Sequence, residues 1–268
     1  MITRAEPGKR LKLGDIDTAA KGSYDGKDDP RVATDLAKDL ARLVELQEML
    51  MAEGKQSLLV VLQALDAAGK DGVLKKVAGP LDSRGVFAWS FKAPAGDELA
   101  HDYLWRVHNR VPRKGEIAFF NRSHYEDVLV VRVMGLAPKS RWEKRYGHIR
   151  AFEQMLADEG TRIVKIYLHI SKDEQRARLQ ERLDEPAKNW KFDPRDLDMR
   201  ARWDDFREAY EDAIEATSTA DAPWYVVSAD RKWARDLAVT RLLVETLESM
   251  DPRYPKPTYD PSKITIDP

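Results

Sequence analysis

Apolar residues along this chain fall into two spacings: helical stripes, and short unbroken runs. Leu36, Leu40, Leu43, Val44, Leu46 and Leu50 keep helical spacing, with Asp29-Pro30 as a start signal and Gly54 as a stop, so a helix is predicted from about 31 to 53. Ser57–Leu62 is an apolar run of strand length, the pattern of a strand covered on both faces. Alternation continues from there. A helix around 70–78 precedes a strand at 86–91, and a helix around 97–110 precedes a strand at 116–120. Helices are predicted at about 124–134 and from Ser140, where Ser140-Arg-Trp-Glu143 reads as a capping box. A strand at 163–170 leads to a second capping box, Ser171-Lys-Asp-Glu174, and its helix. A long charged helix at 194–216, a strand at 224–227 and a helix at 230–249 complete the pattern.

Five apolar strands separated by helices predict an α/β fold: a five-stranded parallel sheet with helices on both faces. Three parts follow along the chain: a polar N-terminal arm (1–29), one α/β domain (30–250), and a C-terminal tail (251–268) with five prolines.

Composition narrows the classes. At 268 residues the chain can bury a large core, and with no cysteine it has no disulfide, thiolate metal site or cysteine nucleophile. A net charge of −1 argues against a nucleic-acid coat. The start, Met1-Ile-Thr-Arg-Ala-Glu-Pro7, lacks a signal-peptide core, and Leu58–Leu65 is far short of the ~20 residues of a membrane span. A cytoplasmic protein without nucleic-acid or membrane partners is expected.

The charge balance nevertheless hides a division. Residues 69–150 carry 16 Lys+Arg against 9 Asp+Glu, a local +7, which leaves −8 for the remainder. This excess includes Lys75, Lys76, Arg84, Arg106, Arg110, Arg141, Lys144 and Arg145. A single nucleotide needs few of these, whereas a long phosphate polymer can use a basic track.

That excess begins at Ala64-Leu-Asp66-Ala67-Ala68-Gly69-Lys70-Asp71-Gly72, between the first buried strand and a helix. A phosphate-cradling loop needs small residues whose backbone N–H groups converge on an anion, a helix behind them, and a lysine reaching the terminal phosphates. Two positions depart from G-x-x-x-x-G-K-[ST]: Ala64 replaces the first glycine, and Asp71 replaces the hydroxyl that normally holds Mg²⁺. Loss of the hydroxyl beside Asp66 and Asp71 points to carboxylates organising the metal, an oxygen-rich ligation suited to Mg²⁺.

The third strand opens into Asn121-Arg122-Ser123-His124-Tyr125-Glu126-Asp127. Ligands of open α/β sheets bind beyond the carboxyl ends of the strands, so this mouth should face the phosphate loop, with Arg122 suited to bidentate phosphate contact. Glu126 and Asp127 either position a metal, water or acceptor, or simply complement a helix first turn. His124 reads as packing or capping. Arg178 and Arg182, at i,i+4, either form part of a lid over the phosphate site (about 172–200) or belong to a solvated, ion-paired helix.

Three blocks together resemble the polyphosphate kinase 2 family, the polyphosphate:nucleotide phosphotransferases. They are Ala64–Gly72; Phe120-Asn-Arg-Ser-His-Tyr-Glu-Asp-Val128 with Arg132-Val-Met-Gly135; and Ser171–Gln175 through Arg178, Arg182, Pro186, Lys188 and Trp190-Lys191 to Ala222-Pro-Trp-Tyr-Val-Val227. The resemblance implies a thymidylate-kinase-like P-loop kinase, a three-layer sandwich with a helical lid. It implies transfer of the terminal phosphoryl group of polyphosphate to AMP or ADP with Mg²⁺, or Mn²⁺ in its place. By similarity Asp66, Lys70, Arg122, Glu126, Asp127 and Arg178 are catalytic, and Ala67, Ala68, Gly69, Lys70, Asp71, Gly72, Lys75, Arg178 and Arg182 hold phosphate. Arg84, Asn121 and Arg122 contact nucleotide, and Asp66, Asn121 and Glu126 hold metal. Many members read Phe-Asp-Arg-Ser-Trp-Tyr-Asn-Arg in the second block. Here the aspartate is Asn121, so either its amide oxygen ligates or Glu126 or Asp127 moves the charge along, a variant similar to the class III branch. The family also suggests a homo-oligomer, dimer or tetramer. Two rivals share these features: an ATP-dependent nucleoside or nucleotide kinase of the thymidylate-kinase type, and a non-catalytic phosphate-binding module.

Overall fold

A computed structural model describes residues 1–266. Its strands are β1 (Ile2–Arg4), β2 (Ser57–Gln63), β3 (Val86–Ser90), β4 (Ile117–Asn121), β5 (Thr161–His169) and β6 (Trp224–Ser228). The helices are α1 (Pro30–Glu53), α2 (Lys70–Val73), α3 (Trp105–His108), α4 (Val130–Val133), α5 (Lys139–Asp158), α6 (Lys172–Asp184), α7 (Arg195–Ala201), α8 (Trp203–Thr217) and α9 (Lys232–Met250).

The sheet runs β1-β6-β5-β2-β4-β3, and β2 to β6 are all parallel, as their apolar runs predict. The sheet has six strands rather than five. Ile2–Arg4, read as part of an arm, pairs antiparallel with Val227–Tyr225 and covers an edge of the sheet. Three residues are too few to show a period, so only the pairing reveals this strand. Beyond it, Ala5, Leu13 and Tyr24 are buried. Of the C-terminal tail, Pro252 is buried and the rest to Ile266 is exposed; positions 267–268 lie outside the described residues.

Alternation in the strands sorts the core into two layers. Leu58, Val60, Leu62, Ile117, Phe119, Val164, Ile166 and Leu168 face α1 and α9. Leu59, Val61, Ala118, Phe120, Ile163 and Tyr167 face α5 and α8. The first helix starts and stops where the caps indicate: the Asp29 side chain accepts from the Arg31 N–H, Pro30 takes the first helical position, and Gly54 closes at φ 62°.

Helices predicted between the strands are shorter than their patterns suggest. In place of a helix over 97–110 there are a 3₁₀ turn, Gly96–Leu99, and α3, because the Asp102 carboxylate captures the Leu104 and Trp105 amides and restarts the chain. Residues 124–134 split into a 3₁₀ turn, His124–Asp127, and α4. Pro138 occupies the N-cap of α5, so Ser140 lies inside the helix and its capping box does not form. At Ser171 the Glu174 amide bonds to Ser171 Oγ, but the Ser171 N–H goes to Asp230 at 2.8 Å and Glu174 turns to Arg178 instead. The predicted 194–216 helix breaks at Arg202, φ −100° and ψ 32°, into α7 and α8.

Candidate active site

The loop between β2 and α2 carries two residues in the left-handed region, Ala67 at φ 62° and Gly69 at φ 105°. Only glycine fits the second. A Cβ there would lie 1.8 Å from Arg235 Nη1. Lys70 opens α2 with its side chain folded back across the loop, Nζ donating to the Ala64 carbonyl at 3.0 Å. Burial, with Arg122 adding repulsion, holds its ammonium below the usual lysine range. The side chain of Asp71 accepts from Asn121 Nδ2 at 2.8 Å, which ties the loop to the end of β4.

Arg122 follows β4 at φ 61°, an uncommon conformation for a residue with a side chain. Its guanidinium donates to Asp66 Oδ1 at 2.6 Å and lies 3.5 Å from Glu126 Oε2. Burial works against this charge, but Glu126 and Asp66 outweigh it and keep the guanidinium protonated. Burial pushes the Glu126 carboxyl up despite the pull of Arg122 and Lys70. Asp66 Oδ2 is buried with no hydrogen-bond partner. The sequence thus places Asp66, Lys70, Asp71, Asn121, Arg122 and Glu126 together at the carboxyl ends of β2 and β4.

Arg178 reaches the loop from behind. All five guanidinium N–H groups are used: Nε on Glu174, Nη1 on the Ala67 and Ala68 carbonyls at 3.0 and 3.1 Å, and Nη2 on those of Ala229 and Asp230, both at 2.8 Å. In this conformation it has no donor left for a phosphate oxygen. Here the guanidinium clamps the loop through its carbonyls, joining it to the chain beyond β6. Arg182, one turn on, contacts the Lys191 carbonyl and Asp196 Oδ2, at 3.0 and 3.2 Å.

Three residues reach this region that the sequence analysis does not name as site residues. The carboxyl of Asp196, at the start of α7, is pushed up to about 6 by burial and by the charge of Asp66, against the pull of Arg182. Gln175 Nε2 donates to the Asp66 carbonyl at 3.0 Å. Buried Arg235, on α9, packs against Gly69 and Gly72. They lie 109, 130 and 169 positions from Asp66 (175−66, 196−66, 235−66), so local spacing could not bring them to the loop.

Three expected residues stand elsewhere. Arg84 pairs with Asp82 at 2.5 Å before β3, at the amino end of the strand, so the sheet separates it from the loop. Lys75 is exposed on the π-helical turn Leu74–Ala78. Asp127 turns away from its neighbour Glu126, pairs with Arg145 at 2.8 Å, and lines a cavity of about 500 Å³ with Tyr103, Arg106, Arg141, Lys144 and His148.

The profile of the polyphosphate kinase 2 family matches residues 26–255, which include the loop, the mouth of β4 and α6. The chain belongs to the polyphosphate kinase 2 family. It is 53% identical, over 98% of both chains, to the AMP/ADP-polyphosphate phosphotransferase of Meiothermus ruber. It is 43% identical to the ADP-polyphosphate phosphotransferase of Rhodopseudomonas palustris, covering 95% of this chain and 92% of that one. A crystal structure of polyphosphate kinase 2 from Arthrobacter aurescens TC1 superposes with a TM-score of 0.89 at 43% identity, over 97% of this chain and 95% of that one. The polyphosphate kinase 2 fold carries the Asn121 and Glu126 pattern here without three His, Cys, Asp or Glu side chains converging on a metal point among the described residues. No helix among those residues is long and apolar enough to cross a membrane.

Proposed function

We propose that this polyphosphate-dependent nucleotide kinase phosphorylates AMP and ADP, as the class III pattern implies, with Mg²⁺ and with inorganic polyphosphate as donor. The observation that carries the reading is Asp66: one carboxylate oxygen is held by Arg122 at 2.6 Å, and the other is buried without a partner. An orphaned anionic oxygen beside a phosphate loop fits a hard divalent cation whose other ligands are phosphate and water, as is usual for Mg²⁺. Bound there, the cation would neutralise charge on the transferring phosphoryl group. Asn121 and Glu126 stand within the same cluster as further oxygen donors.

The protein's part is positioning. The backbone N–H groups of Ala67 to Gly72 and the Lys70 ammonium hold the end of the polyphosphate chain, and Lys70 leaves the Ala64 carbonyl to do so. Arg122 grips the transferring group while Asp66 and Glu126 fix its guanidinium. A terminal phosphate oxygen of the acceptor attacks the last phosphorus in line. The bridging P–O bond breaks, and the shortened polyphosphate leaves with that electron pair. The acceptor is already anionic at neutral pH, so no general base is required. A homo-oligomer in the cytoplasm completes the proposal.

Purified protein is given AMP or ADP with Mg²⁺ and either polyphosphate or ATP, and nucleotide products are separated. Polyphosphate-dependent formation of ADP and ATP is expected, and Asp66→Asn and Lys70→Ala should each remove at least 99% of turnover. Activity with ATP alone as donor, or near-parental turnover in either variant, refutes the reading.

A further inference from the structure

Arg122 and Glu126 face the phosphate loop, but the residues between them run into the core. Ser123 Oγ accepts from the Tyr125 N–H and from Gln63 Nε2, both at 3.1 Å, which fixes the turn after β4. His124 and Tyr125 are fully buried. The Tyr125 hydroxyl donates to Glu153 Oε1 at 2.8 Å, and His124 Nε2 lies 3.3 Å from the same oxygen. Lys165, in the middle of β5, donates to Glu153 Oε2 at 2.5 Å, to the Thr217 carbonyl at 2.7 Å and to the Tyr125 hydroxyl at 3.0 Å. All three ammonium hydrogens are used. Burial raises the Glu153 carboxyl, yet Lys165 and His124 outweigh it and hold it below the usual carboxylate range.

An ion pair in an apolar layer is a poor source of stability, since well-packed apolar replacements often do as well. Its geometric effect is specific. It joins α5, β5 and the end of α8 at one point and anchors His124 and Tyr125, two of the three residues that lie between Arg122 and Glu126. Meanwhile Arg122 is held at φ 61°, a conformation its side chain disfavours. We propose that buried Glu153 positions Arg122 and Glu126 through the oxygen it presents to Tyr125 and His124, rather than through the charge of its pair with Lys165. The proposal rests on the reading of Arg122 and Glu126 as part of the reacting centre.

The test compares Lys165→Met/Glu153→Gln with Lys165→Met/Glu153→Leu. Both remove the charges, but only the first keeps an oxygen for Tyr125 and His124. The glutamine variant is expected to keep kcat within about threefold of the parent, and the leucine variant to lose at least tenfold, with KM for polyphosphate and ADP within twofold in both. Isosteric Tyr125→Phe gives the same answer if the leucine variant does not fold, with kcat falling at least threefold at unchanged KM. Parental kcat in the folded leucine variant or in Tyr125→Phe overturns the proposal, as does equal loss in both double variants. The backbone amide shift of Arg122 in ¹H–¹⁵N spectra provides a readout independent of turnover: it moves in the leucine variant and not in the glutamine variant. A parent without polyphosphate-dependent turnover would refute the proposed function, while these shifts would still decide the positioning.

Discussion

Replacing Arg178 by lysine separates a clamp from a ligand. The guanidinium spans two backbone segments, Ala67–Ala68 of the phosphate loop and Ala229–Asp230 beyond β6, with four carbonyls at 2.8 to 3.1 Å. Lysine keeps the charge, but its donors sit on one nitrogen and can serve only one segment. At least two carbonyls then lose a charged donor, each hydrogen bond contributing about 1.5–3 kcal/mol. The side chain is only 6% exposed, so water compensates little and a loss of about 3–5 kcal/mol follows. At roughly 2–4 °C per kcal/mol for a chain of this size, the melting temperature of ligand-free Arg178→Lys should fall by about 10 °C or more. Circular dichroism melts without nucleotide or polyphosphate measure this directly. A melting temperature within about 2 °C of the parent, together with a raised KM for polyphosphate, would show that Arg178 serves the substrate and that the clamp is wrong.

Gly69→Ala places a methyl 1.8 Å from Arg235 Nη1 at φ 105°, so the loop must deform; kcat/KM should fall by about 100-fold or more, and a loss under threefold in steady-state assays would exclude a loop of this shape. Asp196 has its carboxyl pushed up to about 6, so its contribution to stability is fully present below its unfolded value near 4 and is lost as pH rises through 6. Relative to Asp196→Asn, the parent should therefore lose about 1–2 kcal/mol between pH 4 and 7, a figure reduced for partial solvent access; parallel denaturation profiles of the two proteins across that range would contradict it.

Local signals were reliable where one short segment decides its own state. The Asp29-Pro30 start and Gly54 stop of α1 depend on backbone amides and φ angles within one turn, and both are as read. The same holds for the phosphate loop, because small residues between a buried strand and a helix leave little choice of path. Asn121, Arg122 and Glu126 were legible because a parallel strand delivers whatever follows it to the mouth of the sheet. Asp127 was not, since neighbours in a 3₁₀ turn are rotated by about 120° and Arg145, distant in the chain, draws its carboxylate the other way. Arg84 precedes the strand predicted at 86–91, so its place at the amino end, away from the loop, follows from the parallel order of the strands.

The amino-acid sequence by itself determined the parallel α/β order, the family and the residues around Asp66, Lys70 and Arg122, all of which follow from apolar periodicity and contiguous motifs. Tertiary structure alone decided the antiparallel Ile2–Arg4 edge and the hydrogen-bond partners of Arg178. It also decided the approach of Asp196 and Arg235 to the loop and the burial of Lys165 against Glu153. Each of these joins residues distant in the chain, and a charged side chain reads alike whether its partner is water or a carbonyl a hundred residues away. Burial decides between the two, and burial is a property of packed layers rather than of any local run of residues.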